Sequence, residues 1–144
     1  MKNAIFITSI LLLSSCTSEN TLLNSFPIQL LHGNSAKVWV ISKSSNPNDK
    51  DVAAVNNYRK SFIFYSNQSF REQELIHLGS QEGFIGSYTV DEDNHGEITL
   101  NLRYNNNEYS SFIIQSISNT SLSLMKLQEG HDTWEFKSLK PPKL

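Results

Sequence analysis

Cysteine is nearly absent: one, Cys16, in 144 residues. No intramolecular disulfide can staple this chain, so its stability rests on a buried core. Histidine is sparse and scattered, and His32, His77, His95 and His131 show no spacing that would set two imidazoles on one face, which argues against a metal site. Basic excess is missing too, with 12 Lys and Arg against 14 Asp and Glu, a balance that argues against nucleic acid or a polybasic membrane patch as the partner. No Gly-x-Ser-x-Gly elbow or other catalytic set stands out, and the chain is read as a non-enzyme. Carboxylates such as Glu72 and Glu74 are read as a charged strand face rather than an acid and base pair. Asp91-Glu92-Asp93-Asn94-His95-Gly96 opens like a calcium loop, but Leu102 stands where the chelating Glu belongs, leaving a hairpin turn.

The one long apolar run lies at the start. Lys2, an apolar stretch from Ala4 to Leu13 and small Ser14 and Ser15 form the three regions of a secretory signal, and the stretch is too short for a permanent transmembrane helix. With Leu13-Ser14-Ser15-Cys16 at its end, it resembles the lipobox signal of bacterial lipoproteins. The resemblance implies removal of residues 1–15, acylation of Cys16, and anchoring in the cell envelope, in an outer membrane more than an inner one. Two chains on a diacylglyceryl group anchor durably where one does not. The sole thiol of an exported chain thereby gains a use. Residues 16–25, polar except for Leu22 and Leu23, read as a tether.

Loss of residues 1–15 leaves 129, enough for one core, and takes Lys2 away, so the formal charge moves from -2 to -3. Eight Phe, five Tyr and two Trp among many Ser, Thr and Asn favour strands. Phe26 to Leu31 reads as a helical turn closed at Gly33-Asn34, and Lys37 to Ile41 as a first strand. A long link from Ser44 to Asn57 follows, in which Val52, Val55 and Tyr58 would share a helical face. Strands are then expected at Phe62–Tyr65, Phe70–Leu78, Gly83–Asp91, Gly96–Tyr104, Tyr109–Ile117, Leu122–Leu127 and Thr133–Leu139, separated by turn residues. Along Gly96–Tyr104, Ile98, Leu100, Leu102 and Tyr104 alternate with Thr99, Asn101 and Arg103, the period of a half-buried strand. The stretch Phe70–Leu78 carries Arg71, Glu72 and Glu74 on both sides and reads as an edge or a twisted segment.

About eight strands with short links after the first predict an all-β, up-and-down antiparallel barrel over residues 26–144. The order Gly33-Asn34-Ser35-Ala36-Lys37-Val38-Trp39, long loop, Phe62-Ile63-Phe64, Gly86-Ser87-Tyr88-Thr89-Val90 and the following Ile-x-Leu and Leu-x-Leu strands resembles the lipocalin-like domain lipoproteins of Bacteroidota. It implies a lipocalin-like barrel with a long first loop beside its mouth. Gly33 lies six residues before Trp39 where secretory lipocalins place glycine two before, so none of their ligand positions carries over. The function expected is binding of a small apolar or amphipathic ligand at a mouth lined by Trp39, Phe64, Tyr88 and Tyr104. The alternative is a solid barrel that engages an envelope protein, as an interaction or inhibitor module. No cofactor is expected.

Overall fold

The computed structural model describes residues 26–53, 56–128 and 130–140. Cys16, the signal and the tether lie outside the described residues, as does Val55.

Eight antiparallel strands, each hydrogen-bonded to the next in sequence, close on themselves: β1 (Ala36–Ser44), β2 (Lys60–Tyr65), β3 (Ser69–Glu74), β4 (Phe84–Glu92), β5 (Ile98–Tyr104), β6 (Tyr109–Ile117), β7 (Ser121–Lys126) and β8 (Thr133–Ser138). The ring is sealed by β1 against β8, with Trp39 opposite Ser138 and Ser44 opposite Trp134. Closure leaves no unpaired strand edge, which is how a chain without disulfides avoids edge-to-edge association. The expected barrel is therefore present.

One strand differs from expectation. Residues Phe70–Leu78 do not form one strand: β3 ends at Glu74, and Leu75–His77 is a single tight turn. Arg71, Glu72 and Glu74 do not mark an edge either, since β3 pairs with β2 on one side and β4 on the other. The charges are accommodated by direction: Arg71 donates to the carbonyls of Gln81 and Glu82, while Glu72 turns into the barrel mouth.

Alternate residues of each strand point inward. Trp39, Ile41, Phe62, Phe64, Phe70, Leu100, Leu102, Leu122, Leu124 and Phe136 are almost completely buried, and the Phe62 ring stands 5.8 Å from Phe64 and 5.7 Å from Phe136. Helix α1 (Gln29–His32) plugs the end where β1 begins, inserting Leu31 into the core, and the indole of Trp39 donates to the Leu31 carbonyl at 2.8 Å. The opposite end, where β2, β4, β6 and β8 begin, is bordered by the segment 45–53, which holds the short helix α2 (Lys50–Ala53).

Outside the barrel wall, Ser61 and Gln73 are buried on neighbouring strands. Gln73 Nε2 donates to the carbonyls of His77 and Glu82, tying the 75–83 loop to β3. Gln73→Ala is expected to cost about 1–3 kcal/mol by removing both hydrogen bonds and leaving the partly buried His77 carbonyl without this donor, while Glu82 keeps Arg71, measured as a lowered urea midpoint at unchanged slope.

Candidate functional site

Three of the four expected ligand residues belong to the packed base. Trp39 and Phe64 have no measurable exposure and Tyr88 has 3%. The Tyr88 ring stands edge-on to Phe64 at 5.1 Å, its hydroxyl donates to the Tyr65 carbonyl at 2.7 Å, and burial pushes that hydroxyl up to about 12. These side chains have their partners within the fold. Tyr104 alone stands in the mouth, edge-on to Phe70 at 5.1 Å and to Phe84 at 6.3 Å.

The mouth is a cleft of about 470 Å³ lined by Lys60, Glu72, Phe84, Tyr104, Phe112 and Trp134 among others. That is the size of a small-ligand pocket. Its walls combine rings with charges. Phe84 is 60% exposed and Tyr109 is 59% exposed, so two rings of the lining offer aromatic surface to an entering molecule. Trp134 packs 5.8 Å from Phe112 on its inner side, and Lys126 Nζ stands 3.9 Å from its ring centroid.

The charges form a connected series. Lys60 Nζ lies 2.9 Å from both Asp51 Oδ2 and Glu72 Oε1, and the second carboxylate oxygen of Glu72 accepts from the Tyr104 hydroxyl. Burial works against the Lys60 ammonium, but Glu72 and Asp51 outweigh it and hold the group above its usual range. For Tyr104, burial first and the Glu72 carboxylate second push the hydroxyl upward, so it stays a proton donor. Across the mouth, Asp49 Oδ2 accepts from the Trp134 indole at 2.6 Å and from Ser44 Oγ at 2.9 Å.

Sequence reasoning placed Glu72 on an exposed strand face, and it did not single out Lys60, Asp49, Asp51 or Lys126. The register supplies the reason: Glu72 is opposite Phe62 and Phe84, two inward positions, so its side chain also points inward. That alternation, extended from Phe70 by two residues, was a usable signal; the approach of Asp49 and Asp51 from the loop had none. His95 and His131, both in turns as expected, take no part in the mouth, and no metal-holding cluster of His, Cys, Asp or Glu occurs among the described residues.

The chain matches no family model, no curated protein and no solved structure. No helix of the described residues is long and apolar enough to cross a membrane.

Proposed function

We propose that this is an exported lipoprotein, held to the envelope through Cys16, whose barrel binds a small amphipathic molecule without chemical conversion. The observation that carries the reading is the division of the barrel into a filled base and an open mouth. Below Phe62 the rings pack against one another; above it, a cleft sets the rings of Phe84 and Tyr104 beside the partly buried charges of Lys60 and Glu72, with the edge of the buried Trp134 in its wall. A wholly apolar ligand would leave those charges poorly solvated, whereas an amphipathic one meets both kinds of surface.

Phe84 is the aromatic to remove first, because its exposure makes it dispensable to folding. Native mass spectrometry of the Cys16→Ser protein, isolated from an envelope extract, is expected to show a bound small molecule, and Phe84→Ala is expected to reduce the occupied fraction about tenfold. A protein that stays ligand-free across preparations would overturn the binding reading and favour the envelope-partner module. Anchoring is tested separately: the Cys16→Ser protein is expected in the soluble fraction and the parent protein in the membrane fraction.

A further inference from the structure

The link between β1 and β2 is pinned at its start by Ser45, whose amide donates to the Thr133 carbonyl and whose hydroxyl accepts from the Thr133 amide, both at 2.9 Å, and beyond that hinge a single carboxylate gathers most of its hydrogen bonds to the mouth. Asp49 accepts three hydrogen bonds: from the Trp134 indole Nε1 at 2.6 Å and Ser44 Oγ at 2.9 Å on Oδ2, and from the Asp51 amide at 3.0 Å on Oδ1. Beyond Asp49, the next tie is the 2.9 Å ion pair of Asp51 with Lys60. Asn46 adds a weak contact to Asp132 at 3.4 Å. Trp134 and Lys60 are both lining groups of the cleft, so the loop and the ligand compete for, or share, the same two side chains.

We propose that Asp49 is the latch of a lid, and that ligand entry requires the segment 45–53 to release Trp134 and Lys60. This rests on the binding reading above. The groups facing Asp49 are Lys126 from β7, Trp134 from β8 and Ser44 from β1, with Asp132 and Lys60 near by on the same rim. The lid is short and its fastenings are mostly polar, with Val52 resting on the core, so that opening breaks a few polar contacts and withdraws one partly buried side chain while the fully buried rings of the base stay in place.

The test uses Asp49→Asn and Asp49→Ala in the Cys16→Ser protein, read by amide exchange and by Trp134 fluorescence. Exchange in residues 45–53 is expected to quicken at least tenfold in Asp49→Ala while the strands keep their parent protection, and the Trp134 emission is expected to shift. A fluorescent fatty acid serves as the entry probe: faster association with Asp49→Ala supports the lid. Unchanged exchange in 45–53 would overturn the latch. Faster exchange with an unchanged association rate would overturn the gating role and leave the binding reading standing; absence of any probe binding to parent and variants, with quickened exchange, would overturn the binding reading instead.

Discussion

Gly86→Ala is expected to destabilise the domain by about 3 kcal/mol or more, enough to lower its thermal midpoint by over 10 °C. Gly86 sits in the middle of β4, opposite Tyr104 on β5 and Phe70 on β3. A Cβ there would lie 2.0 Å from the Arg103 carbonyl oxygen and 2.8 Å from the Phe70 ring. The ring could rotate; the carbonyl belongs to the β4–β5 ladder and could move only by breaking it. The glycine is therefore needed for close approach, and its φ is not the reason. The check is a thermal melt followed by circular dichroism, in which a loss under 1 kcal/mol would show that β4 can shift as a whole.

The acid limit follows from Asp49. Burial raises its carboxyl, but the hydrogen bonds from Trp134, Asp51 and Ser44 and the charge of Lys126 outweigh that and leave it below the ordinary value. A depressed folded value means that the stabilisation is complete above the unfolded value near 3.8 and fades as pH falls through the folded one. Acidification below about pH 4 is expected to loosen the lid, and Asp49→Asn is expected to flatten that part of the pH dependence of Trp134 fluorescence.

Much of the architecture was legible because strand alternation and turn residues repeat almost without interruption from Phe62 onward. The same alternation misled at the mouth. Trp39, Phe64 and Tyr88 read as lining because aromatic rings on inward positions fit a core and a calyx equally; only depth along the barrel separates them, and depth depends on register. Trp39 lies opposite Phe62 and Ser138, near the plugged end, while Tyr104 closes its strand at the open one. The salt-bridged mouth escaped for a different reason: Asp49 and Asp51 come from an irregular link whose path no periodicity describes.

Trp39→Ala is expected to be the most damaging single change, about 3–5 kcal/mol, a large fraction of the total stability ordinary for a domain of this size. Two losses combine. The indole is fully buried among the largest core side chains, so its removal leaves a cavity as well as lost apolar burial. It also donates to the Leu31 carbonyl, at the C-terminal turn of α1, where helix carbonyls have no partner of their own. Trp39→Phe separates the two. It restores most of the volume and none of the hydrogen bond, so it is expected to recover more than half of the loss while amide exchange across Gln29–Gly33 stays faster than in the parent protein. Equal protection of α1 in Trp39→Phe and the parent would mean that apolar packing of Leu31 alone holds the plug.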